Sequence, residues 1–342
     1  MATIRDVAKK ANVSTATVSR ILNADKTYKV TNETRDRVWQ AVRDLNYGKN
    51  KVRKDTVKNI ETKNNSAINK VKIGCIVCVT REKYTDPYFM SILSGAESTL
   101  IKNGYSLSVI RTNKELQDPT TLFNTLGESL TGLITMETLG DEIYNQIKDN
   151  VKFIVGIDTK HQNIDNVCYD RFAAAEKAVQ HLIDKGHKRI AYIGGTDAID
   201  PMRKEQRYRG YLSTLEDNNI EEDLSIVKNC EWDSKLCFLK ATELLNLPNR
   251  PTAIFAASDS MAMIAVNAVY EKGLKVPDDI AVIGLSNIDM SKYSNPPLST
   301  IDVPKTEIGE IAAEILISRI KGDTSLPKKI ILPTSLIVRN ST

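Results

Sequence analysis

The sequence predicts a small all-α domain at the N-terminus and a following α/β region with two doubly wound parallel-sheet subdomains. Residues 3–45 contain three short stretches in which apolar residues recur with helical periodicity. From Lys72 onward, apolar runs typical of buried strands alternate with amphipathic helical stretches. The chain has 342 residues, which is more than one domain usually needs and enough to bury sizeable cores.

The stretch from Val13 to Leu22 has the features of a helix that enters DNA. Ser14 can accept a backbone N–H at the start of the helix, and Val18 and Leu22 share one face because they are four residues apart. The opposite face carries short side chains and one arginine, so it can approach base edges closely. Its residues are Thr15, Ala16, Ser19 and Arg20.

Two further helices are predicted around this one. Thr3 and Asp6 have the spacing of a capping box, and Thr31 can cap a third helix. Two short helices joined by a tight turn and supported by a third form the helix-turn-helix arrangement, which places the second helix in the major groove. The apolar stripes of the first and third helices are Ile4, Val7, Ala8 and Ala11, and Val38, Ala41, Val42 and Leu45.

The charge of the chain is divided unevenly. Residues 1–72 carry 17 Lys and Arg against 7 Asp and Glu, a net charge of +10. Residues 73–342 carry 30 against 36, a net charge of −6. A basic head on an acidic body fits a DNA-binding module joined to a module that does not bind DNA, although charge alone also allows a solvated basic tail.

Residues 48–70 have the composition of a linker. They separate a DNA-binding domain, residues 1–47, from a larger domain, residues 71–342. The segment is rich in Lys, Asn and Thr and shows no apolar periodicity. Two interpretations stay open, a solvated tether and a segment whose basic side chains contact phosphates. Those side chains are Lys49, Lys51, Arg53, Lys54 and Lys58.

Regular alternation of strands and helices over the rest of the chain predicts two doubly wound sheets. The predicted strands are Ile73–Thr80, Ser106–Arg111, Gly132–Met136, Val151–Ile157, Arg189–Gly194, Ala253–Ala257 and Ile280–Leu285. The predicted helices include Phe89–Lys102, Phe172–Lys185, Arg203–Asn218, Lys235–Leu245 and Met261–Lys272.

In the head, the chain resembles the LacI/GalR family of bacterial repressors. The matching segments are TIRDVAKKANVSTATVSRILN at 3–23 and VTNETRDRVWQAVRDLNY at 30–47. The resemblance implies base contacts from Thr15, Ala16 and Arg20. It implies phosphate contacts from Ser14, Thr17, Ser19, Asn23 and Tyr47. In the family, a hinge with the motif Pro-Asn-x-x-Ala-x-x-Leu folds into a helix that enters the minor groove. This chain has Gly48-Lys49 at the position where that motif would begin.

The larger domain resembles the same family in a series of short sequence segments. They include DPYF at 86–89, VGID at 155–158, HLIDKGHKRIAYIGG at 181–195, AIFAASDSMA at 253–262 and VPDDIAVIG at 276–284. The resemblance implies two subdomains like those of periplasmic sugar-binding proteins, with ligands bound between them. Their expected extents are about 71–168 with 300–331 and about 169–299 with 332–342, and the crossovers are expected near Val167–Asp170, Thr300–Asp302 and Ile331–Thr334.

The residues expected to bind an effector follow strands or begin helices. Asp158 ends a strand and can accept two sugar hydroxyls, and Arg207 can donate a pair of hydrogen bonds. Trp232 offers a flat apolar face. The family places effector contacts at these positions and at Tyr88, Phe89, Ser258, Asp259, Ser286 and Asn287. Asp259 could instead cap its helix, and Ser286 stands where many members have Asp or Asn.

Catalysis finds no support in the sequence. Only His161, His181 and His187 are present, and the chain has no G-x-S-x-G, no Walker loop and no metal-ligand spacing. Cys75 and Cys78 have CxxC spacing but lie in a predicted strand, which favours core packing. No secretory signal or membrane span is predicted, so we expect a cytoplasmic protein. Because no metal-ligand spacing or nucleotide-binding motif is present, we expect no metal and no cofactor.

The leading hypothesis is therefore a homodimeric repressor whose operator affinity depends on a small molecule. The expected effector is a sugar, and the loop after Asn23 favours galactose or a galactoside. A purine or a phosphocarrier protein acting as corepressor stays open. A solute-binding protein or a Rossmann-type enzyme is disfavoured, since the chain has a DNA-reading head and lacks the full dinucleotide fingerprint.

Overall fold

The computed structural model describes residues 2–22, 28–45, 47, 71–77, 86–196 and 202–342. The chain divides into two compact units. The first unit contains Met1–Val167 and Thr306–Lys329, and the second contains Cys168–Lys305 and Ile330–Thr342. The crossovers were expected near Val167–Asp170, Thr300–Asp302 and Ile331–Thr334. The divisions between the two units fall after Val167, Lys305 and Lys329.

The head of the first unit is a bundle of three helices. Thr3 and Asp6 form the expected capping box, in which the Thr3 amide donates to the Asp6 carboxylate at 2.7 Å. Thr31 accepts the backbone N–H of Thr34 at 3.3 Å, as expected of a cap. The helices are α1 (Ile4–Ala11), α2 (Thr15–Leu22) and α3 (Asn32–Asp44). Their core contains Val7, Ala8, Ala11, Val18, Ile21, Leu22, Val38, Trp39, Ala41 and Val42.

The body of the first unit is an α/β layer structure. Among the described residues its sheet has the strand order β11-β5-β4-β3-β1-β2, and the pairs from β5 to β2 run parallel. The strands are β1 (Ile73–Val77), β2 (Leu107–Thr112), β3 (Gly132–Met136), β4 (Phe153–Ile157), β5 (Asp165–Tyr169) and β11 (Lys329–Leu332). The divisions between the units fall within β5, after Val167, and within β11, after Lys329. The helices are α4 (Pro87–Lys102), α5 (Asn113–Leu116), α6 (Pro119–Gly127), α7 (Asp141–Lys148) and α12 (Lys305–Ile320).

The second unit repeats this design. Its described strands follow the order β12-β10-β9-β8-β6-β7, and only the β10–β12 pair among them is antiparallel. The strands are β6 (Ile190–Gly194), β7 (Val227–Asn229), β8 (Ala253–Ala256), β9 (Ala281–Ser286), β10 (Ser299–Asp302) and β12 (Ser335–Ile337). The helices are α8 (Arg171–Asp184), α9 (Gln206–Asp217), α10 (Ser234–Leu245) and α11 (Asp259–Glu271). The predicted fold class is thereby confirmed.

Two segments that were expected to be crossovers are strands. Asp165–Tyr169 pairs with β4, and Ser299–Asp302 pairs with β9, so residues 300–305 belong to the second unit rather than the first. Both segments are short and contain polar residues, and hydrogen bonding to a neighbouring strand, which local sequence does not encode, sets their conformation. The hinge helix considered for 48–70 lies outside the described residues.

Helices α4 and α12 approach each other through two glycines. A Cβ added at Gly95 would collide with the backbone of Thr306, and one added at Gly309 would collide with the backbone of Ile92. The two helix backbones therefore lie in direct contact, which only glycine allows at these two positions.

Candidate DNA-binding and effector sites

The exposed face of α2 is the face that the sequence predicts for DNA reading. Thr15, Ala16 and Arg20 are exposed, whereas Val18 and Leu22 are buried in the head core. At the start of the helix, the Ser14 hydroxyl accepts the Thr17 N–H at 3.0 Å, which is the expected cap. A helix anchored by one face can present the other to a groove without changing its own packing.

Tyr28 restrains this face, and sequence reasoning did not single it out. The Arg20 guanidinium lies 4.8 Å from the centre of the Tyr28 ring, and the Tyr28 hydroxyl is 3.0 Å from the Thr17 hydroxyl. A cation–π contact with Tyr28 therefore restrains the Arg20 guanidinium. Ser19 and Tyr47 are half-buried, with Tyr47 packed on the head core, and Asn23 lies outside the described residues.

In the first unit, three of the expected effector residues lie together where β4 ends and α4 begins. Pro87 and the Asp86 cap begin α4, with Asp86 accepting the Tyr88 N–H at 3.0 Å. The Tyr88 hydroxyl donates to the Asp158 carboxylate at 3.2 Å, and the rings of Tyr88 and Phe89 meet edge to face at 5.1 Å. Asp158 has a positive φ of 53°, so its backbone turns sharply as β4 ends.

In the second unit, Arg207 is the centre of a buried polar group. Its Nε donates to Glu205 at 2.8 Å, and its Nη1 donates to the Ala257 carbonyl at 3.1 Å. The guanidinium lies 4.7 Å from the centre of the Trp232 ring. The ring of Trp232 also packs so closely on Gly195 that a Cβ there would lie 2.7 Å from it. Trp232 therefore supports Arg207, and one face of its ring is covered by Arg207.

Ser286 ends β9 and Asn287 begins the following turn, and both have a positive φ, of 126° and 49°. The Lys305 ammonium donates to the carbonyls of both residues and so holds the turn. The Asn287 side chain donates to Asp302 at 2.8 Å and accepts from Arg339 at 2.7 Å. Asn287 thus has its amide engaged inside the unit, and its geometry is that of a structural residue.

Asp259 is fully buried and does not cap α11. Ser258 is the N-cap, and its hydroxyl accepts the Met261 N–H at 3.3 Å. The Asp259 carboxylate accepts from the Ile288 N–H at 2.8 Å and from the Thr300 hydroxyl. Burial raises the pKa of Asp259 to about 6, although these two hydrogen bonds oppose the shift. We therefore leave Asp259 and Asn287 out of the groups proposed to touch an effector.

The histidine and cysteine side chains considered for chemistry have structural positions. His187 Nδ1 lies 3.0 Å from the Thr252 hydroxyl, which confirms the structural hydrogen bond expected for it. Cys75 is buried in β1, and burial raises the pKa of its thiol to about 12, while Cys78 lies outside the described residues. Within the described ranges, no group of three or more His, Cys, Asp or Glu could hold a metal ion, and no helix could cross a lipid bilayer.

Comparison with known proteins agrees with this arrangement of head and body. A model of bacterial regulatory proteins of the lacI family matches residues 3–50, and a periplasmic binding protein-like domain matches residues 179–342. A relative from Actinobacillus pleuropneumoniae, named HTH-type transcriptional repressor PurR, is 34% identical over 100% of this chain and 98% of its own length. The chain belongs to the LacI family. A PurR repressor from Aliivibrio salmonicida is 32% identical over 94% of this chain and 93% of its own.

Solved structures of LacI-family regulators extend the likeness. The transcriptional regulator CelR in complex with cellobiose matches with a TM-score of 0.73 and 25% identity over the full length of both chains. A lac repressor dimer bound to operator and the anti-inducer ONPF matches with a TM-score of 0.67 and 26% identity over 99% of this chain and 98% of that one. This LacI-family protein is a DNA-binding transcriptional repressor controlled by an effector, and members of the family act as dimers.

Proposed function

We propose that the effector of this repressor is a small neutral sugar. The observation that carries the proposal is that a charged group lies beside an aromatic side chain in each unit. In the first unit, the Asp158 carboxylate accepts from the Tyr88 hydroxyl at 3.2 Å, and the Phe89 ring lies against Tyr88. In the second, Arg207 is neutralised by Glu205 and supported by Trp232. Sugar hydroxyls both donate and accept, so they suit groups of both kinds.

Two relatives in structure support a sugar. The CelR complex contains cellobiose, and a LacI-family regulator from Enterococcus faecium contains bound ribose, with a TM-score of 0.70 and 26% identity over 79% of this chain and 98% of that one. Galactose is favoured by the loop after Asn23, and most of that loop lies outside the described residues. The effector contacts we propose are Tyr88, Phe89, Asp158, Arg207, Trp232, Ser258 and Ser286.

A purine is the second candidate. It is favoured by the full-length relatives named PurR, which are 30–34% identical to this chain. Either effector would act by binding alone, and the protein would carry out no catalytic step. We place the protein in the cytoplasm, where it would bind DNA.

A thermal-shift screen of the full chain separates the two candidates. The panel is ribose, cellobiose and galactose against hypoxanthine and guanine. A ligand present at about 100 times its Kd stabilises the protein by about 2.7 kcal/mol, so the effector should raise the Tm clearly. Stabilisation by at least one of the sugars supports the proposal. Stabilisation by the purine bases alone would overturn it in favour of the second candidate.

A further inference from the structure

Glu205 connects the start of α9 to the guanidinium of Arg207. It is the N-cap of the helix, and its Oε2 accepts the Tyr208 N–H at 3.0 Å and the Tyr192 hydroxyl at 3.1 Å. Its Oε1 accepts from Arg207 Nε at 2.8 Å. The side chain is only 10% exposed. Each oxygen thus has a fixed partner, and the carboxylate cannot turn away from Arg207 without losing the cap.

Arg207 is held on three sides by Glu205, the Ala257 carbonyl and the Trp232 ring. No hydrogen bond from its Nη2 to another described residue is present, so this nitrogen is the donor left for a ligand. A buried guanidinium with a free edge is ordinarily an anion-binding group, because its donors match the oxygens of phosphate and carboxylate. Here the carboxylate of Glu205 lies beside that edge.

The pair is ionised on both sides. Burial raises the pKa of Glu205, but the charges of Arg207 and Arg171 and the hydrogen bonds it accepts outweigh burial, so its pKa lies below the usual value. For Arg207, burial lowers the pKa, yet the neighbouring charge of Glu205 outweighs it, and the pKa lies above the usual value. Arg171 adds a positive charge near both groups, but the Glu205 carboxylate is the charge in direct contact with Arg207, and in this buried setting it would repel an anion that approached Nη2.

We propose that Glu205 is a specificity-determining residue of the effector site, which restricts the Arg207 side of the site to uncharged ligands. The inference rests on the proposed function, since it takes Arg207 to be an effector contact. It also explains the proposed function further, because one residue, Glu205, would account for the preference for an uncharged effector. A neutral hydroxyl keeps the Nη2 hydrogen bond and escapes the repulsion, whereas a phosphorylated sugar does not.

The test uses inorganic phosphate as the probe, so it does not depend on knowing the effector. Thermal unfolding of the full chain is followed with increasing phosphate at constant ionic strength. We expect wild type to show no saturable rise in Tm, and Glu205→Gln to show one, with an apparent Kd at least about tenfold lower than any wild-type value. Glu205→Gln keeps an acceptor for the helix cap, and Glu205→Asp keeps the charge and should behave as wild type does.

Two controls make the result specific. The double variant Glu205→Gln/Arg207→Gln should lose the phosphate response, because the guanidinium is gone. The matched variant Glu222→Gln removes the carboxylate that pairs with Arg203 at 2.8 Å, but Arg203 is 63% exposed, so no buried anion site is created and no response is expected. Together they separate an effect at Arg207 from a general effect of losing one negative charge.

The inference is overturned if wild type already binds phosphate as tightly as Glu205→Gln does. It is equally overturned if the response survives in the double variant, or if Glu205→Gln gains none. Should Glu205→Gln not fold, the wild-type comparison of ribose with ribose 5-phosphate decides, and preference for the phosphate overturns the inference. Failure of the proposed function has a different signature, namely stabilisation by purine bases and by none of the sugars.

Discussion

Arg20 is the single residue on which operator specificity should depend most. It is exposed on α2, and its guanidinium lies against the Tyr28 ring. We expect Arg20→Ala to weaken operator binding by about 1–3 kcal/mol per half-site, the usual value of one good base contact. Binding to operator and to random duplexes is measured at one salt concentration. Equal weakening on both would mean that Arg20 contacts phosphates only.

Asp259 should make the stability of the second unit depend on pH. Its pKa is about 6 in the folded chain against 3.8 for the ordinary group, so between these values the folded state binds a proton that the unfolded state releases. Stability from this group is complete below about pH 4 and is lost as the pH rises through 6. The shift corresponds to about 3 kcal/mol.

Asp259→Asn removes this titration while keeping a side chain of the same shape. We expect the unfolding free energy of the variant, relative to wild type, to rise by about 2 kcal/mol between pH 4 and pH 7. Urea unfolding at several pH values measures it. A difference that stays constant across this range would show that Asp259 does not titrate there.

At the residue scale, the sequence predicted the caps and the exposed face of α2 because their signals are local. Thr3, Ser14 and Thr31 all cap as expected. Glu205 was missed because glutamate is an unusual N-cap, and the predicted helix began earlier, at Arg203. The position of Glu205, two residues before Arg207, was the only signal available. The contact between the two also depends on the sheet, which brings Tyr192 beside Glu205 and Ala257 beside Arg207.

The contact between α4 and α12 is the most sensitive feature at the scale of elements. An added methyl group at Gly95 would meet the Thr306 backbone, which cannot move aside as a flexible side chain could. We expect Gly95→Ala to destabilise the first unit by about 1–3 kcal/mol, the usual cost of overpacking. Gly127, in α6, is the matched control, because nothing lies within 4 Å of an added Cβ there.

Thermal unfolding of both variants measures the effect. Gly127→Ala should be neutral or slightly stabilising, because alanine favours the helix over glycine. A Gly95→Ala protein as stable as Gly127→Ala would mean that the two helices can separate at little cost, and that their close approach is not required by the fold.

Among the elements, five long helices and the apolar strands were predicted within a few residues, whereas the 16-residue helix α12 was not among the helices named. The predicted Gly132–Met136 matches β3, and Phe172–Lys185 differs from α8 by one residue at each end. Short elements such as β7 and β12 were missed, because three residues carry too little periodicity to identify a strand. Their conformation comes from pairing along the sheet edge, with β7 on β6 and β12 on β10.

At the scale of the whole molecule, control of operator binding requires an effector that favours one conformation of the protein over another. The head that carries α2 belongs to the first unit. Coupling between such sites is typically about 1–3 kcal/mol and is reciprocal. The family and the two-unit body could be predicted from short sequence motifs. The chemistry of the effector site could not, because it depends on contacts between residues far apart in the chain.

The most direct test of effector control is titration of a labelled operator, selected from random duplexes, with the full-length protein. The titration is repeated with the sugar that gives the largest thermal shift, for wild type and for Arg207→Ala. We expect the sugar to change the operator Kd of wild type by about 5–150-fold and to leave that of Arg207→Ala unchanged. A sugar that binds wild type without altering its operator Kd, or that shifts both proteins equally, would contradict effector control through Arg207.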